Sequence, residues 1–490
     1  MQLKTRAIKS TAWFAGSRVC IQGVMWVVSI LLARLLTPAD YGLFAMSLAV
    51  IAFIELFQEF GFGVAIVQRQ ELRRQQINAV FWIILGASVV VAAASFVGAP
   101  LAARFYDEPR LVWLVRALGL TFLLNSLGMV PFNLLTREID FKSRSLAEAS
   151  GALASAAAAL SLGYAGFGVW ALIWGHLARA FVRNLWLLLA CGWRPGPDVS
   201  FDGMRDILKL GLNVAGANIA GTVSGVAQTF IIGRFLGSSA LGMYGMAGSL
   251  GQRNPIHKVS TSVINQLSLP VFSRLQRDDQ QLRRYFLKIS KYLAVISLPM
   301  QIGMALVAHD MVEVVLTAKW LPMVPLLQVF CVGGVLSVLP LPSSPLLTAR
   351  GRADLVFRVS TVSAVLLSGA YLVGVQFGLS GLIVAWALVF PPVRGWLLWL
   401  SLIELHLSPS MYLRHLSGAT FATGIMTLAV LTVRHLVLPN AGALERFVAA
   451  VTIGALAYIA ALFLLDRRLL SDIKLIVFEL APVLRPRVPS

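Results

Sequence analysis

Four places in this sequence set polar side chains at helical spacing inside otherwise apolar runs. Arg18 and Gln22 stand four residues apart. Glu55, Gln58 and Glu59 follow at spacings of three and four, which stack on one face. Two acids on one turn repel, and such a pair is suited to exchanging a proton. His176, Arg179 and Arg183 form a third stripe, and Arg253, His257 and Lys258 surround Asn254-Pro255. Proline removes a backbone donor, so Pro255 should kink its helix and free backbone groups beside three bases. Arginine's planar fork bonds two oxygens of one anion, and the bases are candidates for that task. The candidate binding residues are therefore Arg18, Gln22, Arg179, Arg253, His257 and Lys258, with Glu55, Glu59 and Pro255 as coupling or gating residues. Spacing alone leaves two structural readings open: an Arg18–Glu59 pair, and pairing of the Arg179 stripe with Glu148.

These groups matter because of what surrounds them. The chain has 490 residues, of which 58% are hydrophobic and 13% charged, and its mean hydropathy is +0.79. A soluble chain would be about a quarter charged. The apolar residues fill about fourteen spans of roughly 20 residues. In order these are 11–33, 41–67, 77–98, 111–135, 146–163, 168–191, 210–234, 241–272, 286–308, 322–347, 355–376, 380–403, 413–434 and 445–465. The loops are short, with one around His309 to Trp320 after the ninth span. The first run follows basic residues as a signal peptide does, but it is too long and holds Arg18 and Gln22. The fold class is an all-α integral membrane protein.

A base at the centre of a lipid-facing helix costs about 2.5–3.5 kcal/mol. Arg116, Arg183 and Lys291 lie near span ends and are expected to snorkel. The others must face a partner or a polar cavity. Arg394 follows Pro391-Pro392 and marks a second expected break.

The net charge is +19. In a membrane protein this reads as the positive-inside rule rather than nucleic-acid binding. Loops after even-numbered spans and the two tails carry about 26 bases and the opposite loops about 7. Both termini are thereby placed in the cytoplasm. Cys20, Cys191 and Cys331 have no metal-knuckle spacing, and an odd count argues against a disulfide framework. No nucleotide-binding loop or metal-hydrolase motif is present. Catalytic residues, metal and cofactors are not expected.

An internal repeat organises the spans. Ser29 to Ser47, SILLARLLTPADYGLFAMS, aligns with Thr229 to Ala247, TFIIGRFLGSSALGMYGMA, at an offset of 200. Arg34 meets Arg234, Gly42 meets Gly242, and Met46 meets Met246. Span 1 falls on span 7 and span 2 on span 8, as a duplicated six-helix unit requires. The expected organisation is an N-terminal lobe over 1–200, a C-terminal lobe over 201–405, and an extra helix pair with a basic tail over 406–490. The two lobes would be related by an axis along the membrane normal, with a site between them.

The segments LARLLTPADYGLFAMS, FGFGVAIVQRQELRRQQINAVFW, PFNLLTREIDFKSRS and KWLPMVPLLQVF resemble polysaccharide flippases of the MOP (multidrug/oligosaccharidyl-lipid/polysaccharide) superfamily, in the Wzx/TuaB-like branch. The resemblance covers spans 1 to 12. It implies two six-helix lobes around a central cavity in the inner membrane and alternating access. It also implies translocation of polyprenyl-pyrophosphate-linked oligosaccharides for surface polysaccharide, with polymerase and export machinery as partners. It carries no fixed motif over, so the candidate residues rest on the charges alone. A lipid II flippase and a cation-coupled drug antiporter are the alternatives within the superfamily. Outside it stands a membrane polysaccharide polymerase or ligase, which would need a larger outer loop.

Overall fold

The computed structural model describes residues 21–55, 73–138, 140–200, 204–252, 264 and 268–465. Among these there is no strand. The helices are α1 (Ile21–Leu35), α2 (Pro38–Glu55), α3 (Arg74–Tyr106), α4 (Leu111–Arg137), α5 (Phe141–Tyr164), α6 (Val169–Ala190) and α7 (Met204–Gly251). Then follow α8 (Asp279–Met311), α9 (Val324–Val338), the short α10 (Ser343–Ala349), α11 (Ala353–Gly374), α12 (Gly378–Glu404), α13 (Pro409–Thr432) and α14 (Ala443–Leu465). Nine helical stretches among the described residues are long and apolar enough to cross a membrane, and one of them, Ala353–Glu404, contains both α11 and α12. The chain is a multi-pass membrane protein.

The burial pattern is that of a protein solvated by lipid. Large apolar side chains such as Val97 and Leu436 face outward, 76% and 77% exposed, while Ser47, Ser88, Ser290 and Ser401 are fully buried. With hydrocarbon outside, helix association rests on close packing of small residues. Gly175 of α6 sits against Ala159 and Ser155 of α5, and Gly119 of α4 against Ser95 of α3. Ser47, Ser88 and Ser401 return their hydroxyls to the helix, as Ser47 does to Leu43 O at 2.8 Å.

Helix ends are set by local chemistry. Asp140, Asp278 and Ser408 accept backbone N–H groups at the starts of α5, α8 and α13. Asp40 accepts from Thr37 N at 2.9 Å and from Val169 N at 3.1 Å, so one carboxylate ties the start of α2 to the start of α6. Prolines 100, 131 and 299 lie inside helices that continue through them. The break expected at Pro391-Pro392 is likewise not found: α12 runs unbroken from Gly378 to Glu404. Neighbouring membrane helices stabilise a helix against the loss of two N–H groups. The loop expected over His309 to Trp320 is also mostly helical, with α8 reaching Met311 before a π-helical turn (Val312–Leu316) and a 3-10 helix (Ala318–Met323).

The residues group into two compact units, 1–245 and 246–490. In the first, α5 packs on α6, α3 on α4, and α4 on α6. In the second, α8 is the hub, touching α9, α13 and α14, while α11 packs on α12 and α12 on α9. The final pair of helices is fastened to α8 by Tyr458 Oη donating to Val295 O at 2.7 Å.

The repeat has a structural counterpart inside the first unit. The backbone leaves helical geometry at Gly237 (φ 78°, ψ −177°), one residue before Ser238. This is the position matching Thr37, after which α2 begins at Pro38. A Cβ on Gly42 would collide with Ser238 O, and a Cβ on Gly242 would collide with Pro38 O. Under the 200-residue offset Pro38 corresponds to Ser238, so the contact is reciprocal. Each first turn lies against the other, backbone to backbone, at its glycine.

Candidate functional site

Of the nine candidate residues, Gln22, Glu55 and Arg179 fall within the described residues. Arg18, Glu59, Arg253, Pro255, His257 and Lys258 lie outside them. Gln22 is half-buried on α1, and Glu55 is exposed at the last described residue of α2.

Arg179 belongs to a polar network that crosses three helices. Its Nη2 donates to Glu148 Oε2 at 3.2 Å, and Arg183 Nε donates to Glu148 Oε1 at 2.6 Å. Arg183 Nη1 donates to Asn184 Oδ1 at 3.1 Å, and Asn184 Nδ2 donates to Asn125 Oδ1 at 3.1 Å. Glycines make the room. A Cβ on Gly128 would strike the Asn184 amide, and one on Gly151 would strike Arg183 Cβ and Arg179 O. The Phe132 ring lies 4.2 Å from the Arg144 guanidinium and 5.2 Å from that of Arg183. His176 stands edge-on to Phe44 of α2, with centroids 6.2 Å apart.

This geometry revises one expectation. Arg183 does not snorkel: it is held by Glu148. The third stripe pairs with Glu148, the structural branch left open by spacing, yet Arg179 keeps 46% of its side chain exposed. Two arginines share one carboxylate here, so the cluster retains positive charge. Arg116 Nε donates to Phe96 O at 3.3 Å, and its guanidinium lies over the Phe96 ring.

Glu148→Gln should lower the melting temperature only slightly, because partly exposed pairs contribute about 1 kcal/mol or less. A large fall in a detergent melting curve would show that the cluster is mainly a structural lock.

A second polar group escaped the sequence reading. Gln301, 2% exposed in the middle of α8, donates from Nε2 to Gly251 O at 2.9 Å. Gly251 stands four residues before Pro255. Gly251 is the last residue of α7; the last carbonyls of a helix have no helical donor, and Gln301 occupies one of them. The available signal was a lone Gln within the apolar run SLPMQIGMALV. Asp310 was missed too. It is 1% exposed and lies 3.5 Å from Arg434 Nη2 and 3.3 Å from Arg446 Nη2.

Two cavities are apolar. One of about 730 Å³ lies among α2, α3 and Phe230 of α7. The other, about 440 Å³, lies among α8, α13 and α14. No charged residue lines either. No group of acids, His and Cys able to hold a metal occurs among the described residues.

Comparison with known proteins agrees with this architecture. Over 470 residues the chain is 29% identical to the teichuronic acid biosynthesis protein TuaB of Bacillus subtilis (strain 168), covering 93% of this chain and 95% of that one. It is 27% identical over 383 residues to the lipopolysaccharide biosynthesis protein WzxC of Escherichia coli (strain K12), covering 77% and 76%. Among solved structures, the lipid II flippase MurJ in an inward closed conformation superposes with a TM-score of 0.74 at 12% identity, covering 94% of this chain and 98% of that one. An inward-facing multidrug resistance MATE family transporter of the MOP superfamily gives 0.60 at 15% identity, covering 80% and 98%. These two likenesses show the fold. The model of the family described as "Polysaccharide biosynthesis protein" matches residues 31–325, and the chain belongs to that family.

Proposed function

We propose that this chain is a flippase. It moves polyprenyl-pyrophosphate-linked oligosaccharide units across the inner membrane, by alternating access, for surface polysaccharide synthesis. The observation that carries the reading is the family match joined to a polar, net-positive cluster between apolar helices, formed by Arg179 and Arg183 around a single Glu148. A pyrophosphate-bearing lipid needs cationic groups inside an apolar bundle, whereas a drug antiporter for cations would want acids there. The named relatives act in polysaccharide biosynthesis, which favours this substrate class over lipid II. A transporter needs no catalytic constellation, so an enzymatic role is the weaker reading.

The finer architecture belongs to the same proposal: fourteen spans, two six-helix lobes over 1–200 and 201–405, and an added pair with a basic tail over 406–490. Both termini face the cytoplasm. Arg18 and Gln22, with Arg253, His257 and Lys258, hold the pyrophosphate. The helix break expected at Pro255 adds backbone N–H groups that favour an anion. Glu55 or Glu59 takes up and releases a proton during the cycle. The polymerase and export machinery of the same polymer are its partners.

The test is leaflet-to-leaflet transfer of lipid-linked oligosaccharide in liposomes containing the purified chain. The double variant Arg253→Ala, Lys258→Ala should cut transfer by more than tenfold at matched protein level. Arg253→Lys should remain partly active, because it keeps the charge and loses the fork. Wild-type transfer by the double variant would remove the cluster from the mechanism. Absence of transfer by the wild-type chain would remove the function.

A further inference from the structure

The two turns that meet at Gly42 and Gly242 are equivalent in sequence but not in construction. The first is closed by a reciprocal cap. Thr37 N and Oγ1 donate to Asp40 Oδ2 at 2.9 and 2.7 Å, and Asp40 N donates to Thr37 Oγ1 at 3.2 Å. Such a cap satisfies backbone donors that a helix start leaves open. The second carboxylate oxygen leaves the turn. Asp40 Oδ1 accepts from the N–H of Val169, the first residue of α6, at 3.1 Å. Gly168, which precedes it, has no side chain to cap that end, and a Cβ there would lie 3.1 Å from Asp40 Oδ1. One acid therefore finishes two helix starts and ties the first turn to the helix that carries Arg179 and Arg183.

The second turn is built differently. Under the 200-residue offset Thr37 becomes Gly237 and Asp40 becomes Ala240, so both halves of the cap are missing. Ser238 Oγ reaches Glu108 Oε1 at 3.4 Å, longer than the usual range between two such oxygens. Gly237 stands at φ 78° and ψ −177°, a region that is essentially glycine's alone. A Cβ at Gly237 would meet nothing within 4 Å. The glycine is therefore required by the backbone angle and not by space.

The chain before Gly237 is anchored. The Phe230 ring centroid lies 5.7 Å from that of Phe105 and 5.8 Å from that of Tyr106, both at the end of α3, and 6.0 Å from that of Phe53 in α2. A Cβ on Gly233 would strike the Tyr106 ring. A stretch of α7 fixed by rings thus runs into a residue with glycine-only angles, and beyond it comes a turn without the cap. Hinges have this form: a few residues absorb a change in φ and ψ between bodies that stay rigid. Pro38, which matches Ser238 in the first repeat, has its φ fixed by its ring.

We propose that Asp40 is a positioning residue that holds the first-repeat turn still, and that Gly237 is the hinge on which the second-repeat turn leaves it. Opening at this contact is then one-sided, although its two halves match in sequence. The turn at Pro38 moves with α6, and the turn at Ser238 swings from Gly237. The part this plays in transport rests on the flippase reading, whereas the brace and the hinge do not.

The experiment measures distances between spin labels in the purified full-length chain, with Cys20, Cys191 and Cys331 replaced by Ala. One label is placed at Leu189, 66% exposed and about 30 Å along α6 from Val169. The other is placed at Ala45 or at Gly245, which match under the offset. A Cβ at Gly245 meets nothing within 4 Å, so a side chain fits there. The Ala45–Leu189 distance should be single and narrow, and the Gly245–Leu189 distance broader or divided in two. Gly237→Ala should shift the Gly245–Leu189 distribution alone. Asp40→Ala should broaden Ala45–Leu189, and Asp40→Asn, which keeps one acceptor oxygen, should broaden it less. Leaflet transfer should fall tenfold or more in Gly237→Ala and in Asp40→Ala. Equal widths for the two pairs in the otherwise wild-type chain overturn the hinge, a result that depends on no variant that might fold poorly. Gly237→Ala distributions that match the wild type, or a change that appears in both pairs, overturn it too. An Ala45–Leu189 distance that stays narrow in Asp40→Ala overturns the brace. The expected distances without leaflet transfer by the wild-type chain would leave brace and hinge standing and remove the flippase reading. Transfer by the wild-type chain with equal widths for the two pairs would do the reverse.

Discussion

Gly242→Ala should reduce leaflet transfer by more than tenfold, while Gly245→Ala, three residues along the same helix, should transport as the wild type does. The two substitutions add the same methyl group. At Gly245 a Cβ meets nothing within 4 Å, whereas at Gly242 it lands on the carbonyl of Pro38, with Gly42 N also close. A backbone atom cannot swing aside as a side chain can, so the two first turns must separate. Overpacking of this kind typically costs about 1–3 kcal/mol. Under alternating access, a contact between equivalent positions of two repeats is a natural closed end state, and the variant disfavours that state specifically. Gly42→Ala should behave like Gly242→Ala, because its Cβ would land on Ser238 O. Equal transport by Gly242→Ala and Gly245→Ala would show that the close approach has no part in the cycle.

That contact also shows how far the sequence could be read. Matching glycines at 42 and 242 were visible as a repeat. Their mutual contact was not, because an alignment says which positions are equivalent and nothing about which ones touch. Hydropathy located most of the spans, since apolar length is what a membrane selects. It failed where backbone satisfaction decides the outcome. Two prolines in α12 read as a break, yet the helix continues. Charge reading found Arg179 and Arg183, and it assigned Arg183 to snorkelling because depth alone ignores a partner on α5. Gln301 went unnoticed because a single polar residue in an apolar run has no spacing to measure, and Asp310 because it fell in the stretch read as a loop around His309 to Trp320. Their roles depend on Gly251 and on Arg434 and Arg446, which are distant in the chain.

Asp310 supports a stability prediction with a distinctive signature. The carboxylate is 1% exposed at the end of α8 and faces Arg434, just beyond α13, and Arg446 at the start of α14, whose side chains are each 26% exposed. Arg434 Nη1 also donates to Leu306 O at 2.6 Å. One buried anion is thus shared by two cations that join three helices. Either arginine alone can still neutralise it, so Arg434→Ala or Arg446→Ala should each lower the melting temperature modestly. Removing both leaves the buried carboxylate only His309, whose Nδ1 lies 4.0 Å away, and an uncompensated buried charge costs about 3–5 kcal/mol. The double variant should therefore lose clearly more than the sum of the singles, with an interaction energy on the order of 1–3 kcal/mol. Asp310→Asn should fall between a single and the double, because two partly exposed guanidinium groups can still reach water while a buried carboxylate cannot. Melting curves of the four variants in one detergent measure this. Additive losses would mean that Asp310 is neutralised by some other group, and that the last two helices are held to α8 by packing and by the Tyr458–Val295 hydrogen bond alone.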